Sequence, residues 1–122
     1  MRYRHIIAAT LAGIIATAGS ASDLKYFTTV KDTDVATFGE GYLRGNGTGT
    51  LAVSGLSGSI SAAYLFWAGP SNSTSPTANS MVSFGGTTVN GTSLGLSQDN
   101  FWGYDNSQAY RANVTSIVSA MM

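Results

Sequence analysis

Ser59-Ile60-Ser61-Ala62-Ala63-Tyr64-Leu65-Phe66-Trp67-Ala68-Gly69 is the longest apolar run outside the N-terminal segment, and its reading decides the fold. Its aromatics, Tyr64, Phe66 and Trp67, favour a strand over a helix, because large rings pack well on a pleated surface. Side chains alternate across a strand, so Ile60, Ala62, Tyr64, Phe66 and Ala68 share one face and Ser61, Ala63, Leu65 and Trp67 the other. The first set is uniformly apolar and is expected to face the core. The second begins small and polar and turns apolar at Leu65 and Trp67, so its far end is expected to be covered by a loop, a neighbouring domain or a ligand.

Outward from this strand, the N-terminal side alternates over Thr48–Ser54, with Leu51 and Val53 expected inward. The turn Gly55-Leu56-Ser57-Gly58 then predicts that this strand and the central one form an antiparallel hairpin. Lys25–Val30 and Ala36–Phe38 read as two further short strands, followed by a glycine-punctuated loop. On the C-terminal side, Pro70–Ser80 reads as a solvent loop. Met81-Val82-Ser83-Phe84, Gly85-Gly86 and Thr87-Thr88-Val89 predict a two-residue hairpin that sets Phe84 opposite Thr87 and Val82 opposite Val89. Leu94–Tyr104 has no clear period, and Phe101-Trp102-Gly103-Tyr104-Asp105 reads as an aromatic loop or short strand. Ala109–Val114 returns to strand with Tyr110, Ala112 and Val114 on one face. Val114, Ile117, Val118 and Met121 then recur at helical spacing behind Asn113, an N-cap residue type.

The ends and the charge bound the function. Arg2, Arg4 and His5, the apolar run Ile6–Ala18 and Gly19-Ser20-Ala21 make a secretory signal with cleavage expected after Ala21. The apolar run covers about 13 residues, short of the roughly 20 that span a bilayer, so no membrane span is expected once it is removed. The mature chain sets Lys25, Lys31, Arg44 and Arg111 against Asp23, Asp32, Asp34, Glu40, Asp99 and Asp105. It is therefore mildly acidic without clustered cations, which argues against nucleic acid as a partner. The chain has no cysteine. An exported protein without disulfides depends on β-pairing and aromatic packing, a combination more typical of bacterial than of eukaryotic secretion. Residues 1–21 are thus read as signal peptide, 22–47 as irregular N-terminal strands and a glycine-rich loop, and 48–122 as the core of one antiparallel all-β sandwich. That sandwich would normally need another strand after residue 118, so the chain is read as an N-terminal fragment whose open edge invites self-association.

Four stretches taken together, Leu51–Leu56, Ala63–Gly69, Val82–Gly86 and Tyr110–Val118, resemble bacterial extracellular β-sandwich domains of uncharacterised function. In those, an A-Y-L-Y-W-x-G strand precedes a hairpin and an A-D-V-T-x-x-V turn. The last two stretches are also similar to the galactose-binding-like jelly roll. The resemblance covers residues 48–118 and implies a topology more than a ligand. Asn113 stands where that pattern has Asp.

Candidate sites are few. Trp67, Phe101, Trp102 and Tyr104 offer flat faces that stack on sugar rings or anchor a partner, against the competing role of closing the core. Asp32, Asp34 and Glu40 supply hard oxygen ligands suited to calcium. The loop pattern for that ion is not met, however, since Ala36 falls on an expected ligand position. Arg111 has Asp99 and Asp105 as expected salt-bridge partners. The mature chain contains neither histidine nor cysteine, and nothing local separates the acidities of Asp99 and Asp105, so catalysis is not expected. The functional expectation is a secreted or cell-surface, non-catalytic module of surface, matrix or adhesion. The alternative is a carbohydrate-binding module using exposed aromatics. An extracellular polysaccharide or a surface protein is the implied partner.

Overall fold

The computed structural model describes residues 25–41, 43, 47–98 and 103–122 of the 122. Among these residues five strands and one helix form, in chain order. They are β1 (Tyr64–Ser71), β2 (Met81–Phe84), β3 (Thr87–Asn90), β4 (Thr92–Ser97), β5 (Asn106–Asn113) and α1 (Thr115–Met121). All strand pairs are antiparallel, and they make a three-stranded sheet ordered β1-β5-β4 and a separate β2-β3 hairpin. The regular structure among the described residues is thus mostly antiparallel strand, with one short helix. Among these residues no helix is long and apolar enough to cross a membrane. The expected signal segment lies outside the described residues.

The hairpin forms in the expected register, with Val82 opposite Val89 and Phe84 opposite Thr87. Gly85 and Gly86 both have positive φ, 57° and 76°, which is what a two-residue turn matching the right-handed twist of its strands requires. The final strand also forms, and it is longer than Ala109–Val114 suggests. Its inner positions Asn106, Gln108, Tyr110 and Ala112 are buried and the residues between them are more open. α1 follows as expected. Asn113 Oδ1 accepts hydrogen bonds from the Thr115 backbone N–H at 3.0 Å and from its hydroxyl at 2.7 Å, although the cap position itself falls on Val114. Ile117 and Val118 pack on the core, whereas Met121 is exposed with its tip over Gly85.

The central strand differs from its reading in extent, partner and face. It starts at Tyr64 rather than near Ser59, and it pairs with β5, from Tyr64 opposite Asn113 to Ser71 opposite Asn106. Thr48–Ser54 is not a strand, and Val53 is exposed. Gly47, Gly55 and Gly58 around it all have positive φ, so the backbone departs from the extended path before a ladder can form. Lys25–Val30 and Ala36–Phe38 are likewise without strand pairing, and residues 25–41 are exposed throughout.

The faces of β1 are reversed. Ala63, Leu65 and Trp67 pack against the buried cluster of Val89, Ala112 and Val114, together with Val82, Phe84, Ile117 and Val118. Phe66 is 59 % exposed. The partner strand settles this: Leu65 lies opposite Ala112 and Trp67 opposite Tyr110, while Phe66 lies opposite Arg111 and Tyr64 opposite Asn113. Cross-strand neighbours share a face, and the face that carries Arg111 is not the one to bury.

The segment Asn72–Ser80, read as a solvent loop, is tied beneath β5 by side chains of the inner face. Gln108 Nε2 donates to Ser73 O and Ser75 O at 2.9 Å each, Asn106 Nδ2 reaches Ser73 O, and the Tyr110 hydroxyl lies against Ala78 O and Gln108 Oε1. These polar groups satisfy loop carbonyls that have no ladder of their own, and Ser80 is buried as a result. Trp67 completes the arrangement by stacking on Tyr110, with centroids 5.6 Å apart, and donating its indole N–H to Asn79 O at 3.0 Å.

Gly91 links β3 to β4 directly under this stack. A Cβ there would lie 2.8 Å from Tyr110 Cβ and closer still to indole Cζ2 of Trp67. Gly91→Ala is therefore expected to lower stability by about 1–3 kcal/mol, as overpacking does. Thermal or urea unfolding of the variant checks it, and an unchanged midpoint would mean that the indole has room to move.

Candidate functional site

The outer face of the three-stranded sheet and its β1 edge form the surface on which recognition groups gather. In one row across the sheet stand Phe66, Arg111 and Thr92, and in the next Tyr64 and Asn113. The alternation that buries Tyr110 and Ala112 necessarily turns Arg111 and Asn113 outward. Phe27, from the extended N-terminal segment, lies across this face. Its ring meets Tyr64 edge-on at 4.9 Å, and the Arg111 guanidinium carbon sits 3.4 Å from its centroid. That is a close cation–π contact, a partner for Arg111 that its sequence neighbours do not announce. Asp105 is anchored through its backbone N–H, which donates to Asn72 Oδ1 at 3.1 Å, and Asp99 lies outside the described residues.

A shallow cleft of about 310 Å³ opens between Phe27, Tyr64, Asn90, Thr92, Arg111 and Asn113. Its groups are a permanent cation, two primary amides, two hydroxyls and two aromatic rings. Such a set binds and orients by hydrogen bonds, charge and stacking.

The β1 edge adds backbone to this surface. β1 pairs with β5 on one side and, among the described residues, with no strand on the other, so alternate N–H and C=O groups of Tyr64–Ser71 form an open row. Pro70, which has no N–H to give a ladder, fits an edge position of this kind. β4, the opposite edge, is irregular: its pairing shifts register between Ser93 and Gly95, and Gly95 has φ 139°. A bulge of this kind twists an edge away from further pairing. β1 has no such interruption and carries no charged side chain.

The residues singled out in the sequence are dispersed relative to this surface. Trp67 is half-buried on the inner face, with its ring stacked on Tyr110 and its edge over Gly91. Tyr104 is half-buried and engaged with a partner. Phe101 and Trp102 lie outside the described residues. Asp32, Asp34 and Glu40 are exposed, and among the described residues no three acidic, histidine or cysteine side chains converge as a metal site would need. Sequence reading missed the Phe27–Tyr64–Arg111 assembly. The available signal was Arg111 itself, a cation set between the apolar alternates Tyr110 and Ala112, which marks the outward face of β5 and hence of its neighbour. No family model matches the chain, and no curated protein or solved structure gives a match.

Proposed function

We propose that the protein is a secreted, non-catalytic β-sandwich module of jelly-roll type, acting at the bacterial cell surface or in the extracellular matrix as an adhesive or structural component. The observation that carries this reading is the open β1 edge beside an outer face bearing Phe66, Tyr64 and Arg111, where backbone, aromatic and cationic recognition groups lie together. An unguarded edge is a template for another chain, and the groups next to it bind rather than carry protons. The N-terminal signal pattern supports an extracellular setting, and export without cysteine is more typical of bacterial than of eukaryotic secretion. An extracellular polysaccharide or a surface protein is the partner class. The alternative, a sugar platform built on Trp67 with Trp102 and Tyr104, draws less support because the Trp67 ring is stacked inside.

Fractionation of cells expressing the full precursor tests the reading. The expected result is a chain beginning at Ser22 in the envelope or matrix fraction. Arg111→Ala with Tyr64→Ala should reduce its retention there by about tenfold, the effect of losing roughly 1.4 kcal/mol of binding. A cytoplasmic chain that keeps Met1, or retention indifferent to both changes, would overturn it.

A further inference from the structure

Two features of the molecule are incomplete in complementary ways. The first is the open edge of β1, which needs an extended backbone beside it. The second is the arm Lys25-Tyr26-Phe27-Thr28-Thr29-Val30, whose aromatic and β-branched residues favour a strand, yet which pairs with none among the described residues and is exposed along its length, Tyr26 to 81 %. We propose that this arm is a donated strand, and that it pairs with the free β1 edge of a second copy of the chain to give head-to-tail assembly. The proposal rests on the reading of the chain as an extracellular structural module.

The match is physical at three levels. The arm is as long as the usable edge, Tyr64–Gly69, which ends where Pro70 withdraws an N–H. Alternation places Phe27 and Thr29 on one side of the arm and Tyr26, Thr28 and Val30 on the other. Set beside β1, the first pair would lie next to exposed Phe66 on the outer face, and the second would extend the apolar cover over half-buried Leu65 and Trp67. Aromatic and β-branched cross-strand neighbours are the pairs that stabilise a sheet. Asp32 then ends the arm with φ 56°, a left-handed residue that turns the chain out of any ladder.

The occupant is a second copy because the arm's position in its own chain is already set. Phe27 lies over Tyr64 and Arg111, across the outer face, and the arm makes no ladder with its own β1. A neighbour's arm reaches that edge by giving up its Phe27 contacts with its own Tyr64 and Arg111, which the ladder along β1 replaces. An arm-to-edge contact is heterologous, so each added copy presents a new edge and a new arm, and growth continues until the rotation closes a ring or a filament forms.

Sedimentation velocity on the chain beginning at Ser22, from low micromolar to submillimolar concentration, tests this. Wild type is expected to grow with concentration beyond a dimer. Thr28→Pro and, separately, Thr29→Pro remove arm N–H groups at exposed positions outside the core, and because N–H groups alternate between the two sides of a strand, one of the two faces the β1 edge. Ala68→Lys places on the edge the residue that natural edges use as a guard. Ala68→Lys and the proline variant whose N–H faces β1 should lose every species above monomer. An equimolar mixture of that proline variant and Ala68→Lys should recover a 1:1 pair and stop there, since one keeps an edge and the other an arm. A monomeric wild type at all concentrations would overturn the proposal, whether or not its arm amides are protected from exchange by pairing within the chain. Assembly of both proline variants like wild type would also overturn it, and would point to symmetric β1-to-β1 pairing. A monomeric proline variant that is still retained at the envelope would show that surface binding does not depend on the exchange. Loss of retention in a chain that still assembles would remove the functional reading and leave the exchange intact.

Discussion

Trp67→Ala should cost about 3–5 kcal/mol in chemical denaturation, whereas Phe66→Ala, one residue away, should cost under about 1 kcal/mol. The indole packs on the Val89, Ala112 and Val114 cluster, stacks on Tyr110, covers Gly91 and donates to Asn79 O, so its removal leaves a cavity and breaks the tie to the loop. The Phe66 ring faces outward beside Arg111 and leaves no cavity behind. Domains of this size are stable by about 5–15 kcal/mol, so the first change removes a large fraction of the whole and the second is an ordinary surface substitution. The reverse order of the two costs would mean that the sheet buries its other face.

The second large effect is at Tyr110. It is 1 % exposed and links the core to the loop beneath β5, since its ring meets Trp67 and its hydroxyl meets the loop carbonyl of Ala78 and Gln108 Oε1. Tyr110→Ala is expected to cost about 3–5 kcal/mol from ring loss. Tyr110→Phe isolates the hydroxyl. It keeps the stack and removes the one hydroxyl proton that Ala78 O and Gln108 Oε1 have to share, at an expected cost of about 1–3 kcal/mol. Equilibrium unfolding of the two variants separates the contributions. Near-equality of the two would assign the role of Tyr110 to its hydroxyl, and a neutral Tyr110→Phe would assign it to the ring.

What the sequence made legible follows the range of the interactions involved. The Gly85-Gly86 hairpin could be read with its register because a two-residue turn with two positive φ values determines both in four residues. Tyr110, Ala112 and Val114 were legible as one face because only that set on β5 is apolar. β1 was legible as a strand but not in its orientation, since both its faces are apolar and only the distant partner decides between them. The position of Arg111 opposite Phe66 is that decision, and it requires a register that no local pattern contains. Thr48–Ser54 failed for the converse reason: its alternation is clean, but the neighbouring strand position it was to fill carries no ladder, and the glycines around it bend the backbone away. The recognition surface was hidden for both reasons together. Phe27, Tyr64 and Arg111 come from three distant segments, and each alone reads as an ordinary strand residue.

The pairing of β1 with β5 also governs when the fold can exist. Tyr64 has to wait for Asn113, and nearly all of the chain between them must be made before the first rung closes. The hairpin in the middle can form early, since its partners are neighbours, but it has no sheet to pack on until both ends of the loop arrive. Folding dominated by such distant pairings is slow, and β1 spends that interval as an unpaired apolar segment. A chain of this topology stays open until the strand ending at Asn113 is present to close over β1.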